Sequence, residues 1–406
     1  MNHEEYAGMG TLAIHAAQDL TTGSAHVMPI FATSTFTFDS AQQGMNRFSG
    51  KEKGFIYSRF GNPTTEAAAE TIAALEAYNI LTETGAPLPL KALLHASGQS
   101  AMATMFLSNL STGDAVLSHY SLYGGTHEFL YGFLKRFGIT ALIGDLRNPN
   151  LAEDIIRKHP SIKMIHIETP ANPTMQCIDL EAICALAKKY KLKVSTDNTF
   201  ATPYLQQPFK YGVDFVFHST TKFLNGHGTA IGGVLIGKDI PHFNSKVYDT
   251  YKLLGGNSNP FDAFLLLQGI KTLEIRMNLH CSNAVKVAAF LSAHPAVAKV
   301  NYNGLSAHPD YPVSLKQMRL HGAVMSFELK EGLEGGRKFI DKLQMCVRAV
   351  SVGTADTLIS HPASMSHSGM SREDRYASGI TDGLIRISTG LENCDDILND
   401  LEQALA

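Results

Sequence analysis

In His218-Ser219-Thr220-Thr221-Lys222-Phe223-Leu224-Asn225-Gly226-His227-Gly228, hydroxyls and a lysine stand side by side, followed by a glycine-rich turn. The apolar, β-rich run Asp214–His218 precedes them, so they fall at a strand end. Hydroxyls and free backbone N–H groups are good donors to a phosphate. A lysine amine beside such a site can condense with an aldehyde to a Schiff base. Taken alone, a lysine after a strand is usually a solvated surface residue, so its meaning depends on what stands with it.

Two further stretches supply company. Lys193-Val194-Ser195-Thr196-Asp197-Asn198-Thr199 puts Asp197 at the end of another buried strand. A buried carboxylate needs a cationic partner. A protonated pyridine nitrogen would be one, and the pairing would make that ring a stronger electron sink. A turn-capping aspartate is the plainer alternative. Ser97-Gly98-Gln99-Ser100-Ala101 falls between a strand and a helix. Bare N–H groups at a helix start bind phosphate, and Gly98 permits close backbone approach. Pyridoxal phosphate carries the aldehyde, the ring nitrogen and the phosphate that these three stretches would take.

The elements that must position these residues are legible in outline. Short apolar runs at Ala92–Ser97, Ala115–His119, Ile139–Gly144, Met164–Glu168, Lys193–Thr196, Asp214–His218 and Gly233–Gly237 read as strands, with helices such as Leu151–His159 and Leu180–Tyr190 between them. That alternation predicts an α/β fold with a mostly parallel sheet covered on both faces, whose ligands sit beyond the carboxyl ends of the strands. Asn62-Pro63 reads as a helix start, with Asn62 as cap and Pro63 in the first turn. Asn259-Pro260 reads as the start of one long helix running towards His294, and further strands are expected near Val324–Leu329 and Leu384–Ser388. The expected division is an extended, irregular N-terminal arm over 1–60, a large domain over 61–255 and a smaller C-terminal α/β domain over 256–406, with Gly255-Gly256-Asn257-Ser258-Asn259 as the linker.

Composition bounds the partners. The 406 residues include 34 basic and 37 acidic side chains, a formal charge of −3 with no long basic run, which argues against a nucleic-acid backbone. No apolar run approaches the ~20 residues that cross a bilayer. The cysteines Cys177, Cys184, Cys281, Cys346 and Cys394 form no C-x-x-C pair, so neither a zinc site nor a disulfide framework is expected. The polar, acidic first residues lack the positive start and apolar core of a secretory leader. A soluble, cytoplasmic protein without metal is the expectation. The 17 histidines include no H-E-x-x-H, which disfavours a metal hydrolase.

With these stretches in order, the chain resembles the cysteine/methionine-metabolism family of pyridoxal-phosphate enzymes, which includes cystathionine synthases and lyases, methionine γ-lyases and homoserine-ester sulfhydrylases. The resemblance covers nearly the whole chain. Beyond the Lys222 and Asp197 stretches it rests on Tyr57-Ser58-Arg59 leading to Gly61-Asn62-Pro63-Thr64, on Ser121-Leu122-Tyr123-Gly124-Gly125-Thr126, on Glu168-Thr169-Pro170-Ala171-Asn172-Pro173, and on His361-Pro362-Ala363-Ser364-Met365-Ser366-His367.

The resemblance implies the type I fold of pyridoxal-phosphate enzymes and a role for each residue. Lys222 would hold the cofactor covalently and move protons. Asp197 would pair with the ring nitrogen, Asn172 would reach the ring hydroxyl, and Tyr123 would stack on the ring and assist the leaving group. Gly98 and Gln99 amides with Ser219 and Thr221 would hold the phosphate, with Thr199 beside them. Tyr57 and Arg59 would reach the phosphate of a neighbouring subunit, which implies a homo-oligomer, a tetramer built from dimers with shared sites. Arg386, in the apolar strand Leu384–Ser388, would bind the substrate α-carboxylate, and Ser351 would orient that carboxylate and Lys222.

Departures from the family pattern narrow the reaction. Cystathionine enzymes commonly carry an acid where Ile56 stands, and methionine γ-lyases commonly have Cys where Gly125 stands. The reading taken is γ-elimination of the methionine γ-lyase type. γ-Replacement by a sulfhydrylase is the alternative, cystathionine γ-lyase or γ-synthase stands behind it, and a pyridoxal-phosphate binder without turnover is the remote one.

Overall fold

The computed structural model describes residues 6–17, 24–366, 368–377 and 379–406. His367, the last residue of the His361 motif, lies outside the described residues. Seven strands build the main sheet: β1 (Lys91–His95), β2 (Ala115–His119), β3 (Thr140–Gly144), β4 (Ile162–Glu168), β5 (Lys193–Asp197), β6 (Phe215–His218) and β7 (Gly233–Gly237), in the order β1-β7-β6-β5-β4-β2-β3. β7 runs antiparallel to both neighbours, and the remaining pairs are parallel. All the residues of β2, β6 and β7 are buried, because helices cover both faces. One face packs Ile72, Leu75 and Ile270 among others, and the other packs Met102, Phe106 and Leu130.

The seven expected strands are all present, with ends that shift where a residue has another task. β1 stops at His95 because Ser97 caps the next helix, Gly98–Asn109, by accepting the Ser100 N–H at 3.1 Å. Asp214 stays outside β6 and accepts the Val194 N–H at 2.8 Å. The helix Pro63–Ala77 starts as expected: the Asn62 side chain accepts the Thr64 N–H at 3.0 Å and donates to the Phe31 carbonyl at 2.9 Å.

Two expectations are corrected. The long helix from Pro260 is two helices, Pro260–Ile270 and Leu273–Ala293. The Gly269 carbonyl is taken by Arg276 Nη2 at 2.8 Å and by the Thr272 N–H at 3.2 Å, which closes the first helix early. The N-terminal segment is not wholly irregular. It holds the short helices Met9–His15, which buries Met9, Leu12 and Ala13, and Ala41–Phe48, capped by Ser40. Each is too brief to set up a sustained period in the sequence.

Beyond residue 295 a second sheet forms from β8 (Val297–Asn301), β9 (Val324–Leu329), β10 (Val347–Arg348), β11 (Leu358–Ser360) and β12 (Leu384–Ser388), ordered β10-β11-β12-β9-β8. It has its own apolar cluster around Leu291, Phe327, Ile385, Ile387 and Leu401. The five cysteines are buried free thiols. No helix among the described residues is long and apolar enough to cross a membrane.

Candidate active site

Parallel strands end on one edge, and here that edge carries the reactive side chains. Glu168, the last residue of β4, stands in register with Asp197, the last residue of β5. The next parallel neighbour, β6, delivers His218 and then Ser219 to Lys222. A fully buried clamp fixes these strand ends: Glu76 Oε1 of the helix Pro63–Ala77 lies 2.7 Å from His218 Nε2 and accepts from Asn198 Nδ2 at 2.9 Å.

A cavity of about 250 Å³ opens over this edge. Lys222, Asp197 and Asn172 line it, and so does Tyr123, half exposed at its mouth. Its other end is built by Gly98 and Gln99 in the first turn of the helix Gly98–Asn109, facing Ser219, Thr221 and Thr199. The nine residues expected from sequence to surround one cofactor within a chain are thus brought together. Thr199 Oγ1 accepts the Ser219 N–H at 2.9 Å, and Thr221 Oγ1 accepts the Gly232 N–H at 3.0 Å, so the loop after β6 is pinned. Space at this end is tight. A Cβ on Gly98 would come within 3.0 Å of Ser219 Cβ, and one on Gly233 within 2.3 Å of the Ser97 carbonyl oxygen. Gly125 is equally confined, since a Cβ there would stand 2.5 Å from Gln99 Nε2 and 2.6 Å from Tyr123 Cε1.

The amine and the carboxylates are tuned by their surroundings. Burial, then the Arg386 charge, push Lys222 down to about 8, against an opposing pull from Asp197. Lys222 Nζ donates to Ser351 Oγ at 2.8 Å. Burial raises Asp197, with partial relief from the Thr199 hydrogen bonds and from His218 and Lys222. Arg386, in the middle of β12, donates through Nη1 to Asn172 Oδ1 at 3.4 Å and through Nη2 to the Val350 and Ser351 carbonyls at 2.7 and 3.1 Å. Burial lowers it to about 10. The second sheet therefore closes the same site.

Other sequence-stretch residues lie elsewhere. Thr220 turns away from the cavity and packs against Gly232. The Gly226-His227-Gly228 turn does not line the Lys222 cavity. Gly226 has φ +73° and sits against the Arg276 guanidinium, where a Cβ would be 2.0 Å from Nη1. Tyr57 and Arg59 do not reach the Lys222 cavity within the chain. Arg59 lines a separate cavity of about 900 Å³ and donates to the Lys252 carbonyl at 2.6 Å, while Tyr57 stays 42% exposed. Glu168 is a wall residue to which sequence reasoning gave no role, although it ends a predicted strand and opens the Glu168–Pro173 motif.

The donor set suits pyridoxal phosphate. An amine of lowered basicity, a buried carboxylate raised by its burial, and a helix start made close by glycines occupy three sides of one cavity. Fold and site together define a pyridoxal-phosphate-dependent enzyme. Residues 10–406 match the family described as Cys/Met metabolism PLP-dependent enzyme. The chain is 43% identical over 400 residues to an L-methionine gamma-lyase of Porphyromonas gingivalis, covering 98% of this chain and 97% of that protein. It is 37% identical to an O-succinylhomoserine sulfhydrylase of Pseudomonas aeruginosa, covering 99% and 96%. A Campylobacter jejuni structure holding N′-pyridoxyl-lysine-5′-monophosphate superposes with a TM-score of 0.91 at 35% identity, covering 98% of this chain and 99% of that one. The chain belongs to the Cys/Met metabolism family of pyridoxal-phosphate-dependent enzymes.

Proposed function

We propose that the chain catalyses γ-elimination on a sulfur amino acid, converting L-methionine and water to methanethiol, 2-oxobutanoate and ammonia. The observation that carries this reading is the convergence of Lys222, Asp197 and Tyr123 on one cavity, with Arg386 bonded to Asn172 of its wall, in a chain 43% identical to an L-methionine gamma-lyase. Bound pyridoxal phosphate supplies an electron sink conjugated to the substrate Cα. The Lys222 amine, of lowered basicity and held by Ser351, takes the Cα proton and returns it elsewhere on the substrate. Arg386 orients the substrate carboxylate with its planar guanidinium, and Ser351 aligns both partners. Tyr123, at the cavity mouth, assists departure of the γ-substituent. Asp197 holds the ring nitrogen, Asn172 the ring hydroxyl, and the Gly98 and Gln99 amides with Ser219, Thr221 and Thr199 hold the phosphate end.

A second reading is γ-replacement, in which sulfide or a thiol takes the place of the acyloxy group at Cγ of O-acetyl- or O-succinylhomoserine, giving homocysteine or its thioether and releasing acetate or succinate. Gly125 departs from the lyase pattern, the stretches Gly228-Thr229-Ala230-Ile231-Gly232-Gly233 and Pro260-Phe261-Asp262-Ala263-Phe264-Leu265 resemble those of the sulfhydrylases, and the 37% identity to a sulfhydrylase supports the same reading. Residues 1–60 form an arm by which Tyr57 and Arg59 complete a neighbour's site, in a tetramer built from dimers in the cytoplasm. Their position outside the Lys222 cavity of their own chain supports the sharing.

The deciding experiment incubates the holoenzyme with L-methionine, O-acetylhomoserine, O-succinylhomoserine or cystathionine, each with and without sulfide. 2-Oxobutanoate from methionine without sulfide supports the lyase. Homocysteine from an ester only when sulfide is present moves the assignment to the sulfhydrylase. Neither product from any substrate removes both.

A further inference from the structure

Tyr123 and Asn172 reach the cavity from different loops, and neither loop is a regular element at that point. Tyr123 precedes the short helix Gly124–Glu128 and makes no side-chain cap to it. Asn172 follows β4 by four positions. One side chain joins the two. Glu168 Oε2 accepts the Tyr123 backbone N–H at 2.7 Å, and Oε1 accepts the Asn172 backbone N–H at 3.0 Å. Glu168 is 5% exposed and lies beside a second acid, the half-buried Asp197. Burying a second carboxyl there is costly, so an apolar strand end would be the stable choice if packing were all that mattered.

We propose that Glu168 is a positioning residue whose two carboxyl oxygens set the separation between the Tyr123 and Asn172 loops on either side of the bound cofactor. The need is clearest for Tyr123, whose side chain is 51% exposed and so is not fixed by packing. Both oxygens are used as acceptors, which explains the residue type. Glutamine has a single acceptor oxygen and would turn an NH₂ donor towards one of the two N–H groups. The inference rests on the reading of Tyr123 and Asn172 as cofactor contacts, but the hydrogen bonds themselves do not depend on it.

The test compares wild type, Glu168→Gln and Glu168→Ala, each as holoenzyme and after removal of the cofactor. Amide hydrogen exchange at Tyr123 and Asn172 reads the two bonds directly. Wild type should protect both amides, Glu168→Gln one, and Glu168→Ala neither. In the holoenzyme, the visible circular dichroism of the bound cofactor should change in both variants. kcat should fall about 10- to 100-fold, the cost of a small misplacement of reacting groups, with the cofactor still bound and glutamine the milder change. If Glu168→Ala does not fold, the wild-type protection and Glu168→Gln decide alone. Unchanged exchange at both amides in Glu168→Gln, with wild-type circular dichroism and kcat, overturns the proposal while leaving the pyridoxal-phosphate reading intact. A wild type that takes up no pyridoxal phosphate, yet loses amide protection on substitution, overturns the reading and spares the hydrogen-bond role.

Discussion

Lys222 and Ser351 lie 129 residues apart in the chain, yet the Lys222 Nζ donates to the Ser351 hydroxyl at 2.8 Å. The bond ties the loop after β6 of the main sheet to the segment preceding β11 of the second sheet. Arg386 of β12 donates to the carbonyls of Val350 and Ser351 and so holds that segment from the other side. An amine, a hydroxyl and a guanidinium from distant parts of the chain are thereby coupled. A flexible four-carbon lysine gains a defined direction from this arrangement.

Replacing Lys222 by alanine should abolish both turnover and the visible absorption of the lysine-linked cofactor. Retained steady-state activity would remove the assignment of the amine. Ser351→Ala should be milder. Loss of one hydrogen bond worth about 1 kcal/mol corresponds to about a five-fold fall in kcat/KM, with the absorption band still formed. Steady-state kinetics with an absorbance spectrum separates the two cases.

The pH dependence of cofactor uptake follows from the Lys222 environment. Only the unprotonated amine attacks an aldehyde carbon. With the lysine pushed down to about 8 from the ordinary 10.5, the rate at which stripped enzyme recombines with pyridoxal phosphate should rise with pH and level off near that value. A rate still climbing through the ordinary lysine range would contradict the lowered basicity. Arg386→Ala removes a positive neighbour and should move the midpoint upward.

Arg386→Ala should also reduce kcat/KM by about 100-fold, the equivalent of a charge-assisted contact of ~3 kcal/mol. Arg386→Lys keeps the charge but loses the planar fork. It should recover part of that loss and no more. A wild-type value for the alanine variant would place the substrate carboxylate elsewhere.

Sharing of sites between subunits can be read from hybrids. A Tyr57→Phe or Arg59→Ala enzyme should retain pyridoxal phosphate less well than wild type. Mixed and reassembled with a Lys222→Ala enzyme, it should regain some activity, because one site of each hybrid then has an intact lysine and an intact Tyr57–Arg59 pair. Absence of complementation in reassembled hybrids, verified by mass, would argue that each chain is self-sufficient.

Much of this was legible along the sequence. The strand ends that carry Asp197 and Lys222 follow from local apolar runs, and the start of the helix Pro63–Ala77 from the pairing of Asn62 with Pro63. The convergence of Gly98, Asp197 and Lys222 also follows, because parallel strands must deliver their carboxyl ends to one edge. What local pattern could not reveal depends on contacts between distant residues. Glu168 reads as a strand end and the first residue of a motif, with no role of its own, until its carboxyl group meets the Tyr123 N–H 45 residues away. The break after Ile270 arises from an Arg276 bond to a carbonyl, against an unbroken helical pattern. Gly226 reads only as part of a glycine-rich turn until the Arg276 guanidinium is seen occupying its face. Residue type and spacing determined which groups this protein has for chemistry and on which edge they stand. The tertiary structure decided which of them touch, because hydrogen bonds across tens or hundreds of residues leave no periodic trace in the chain.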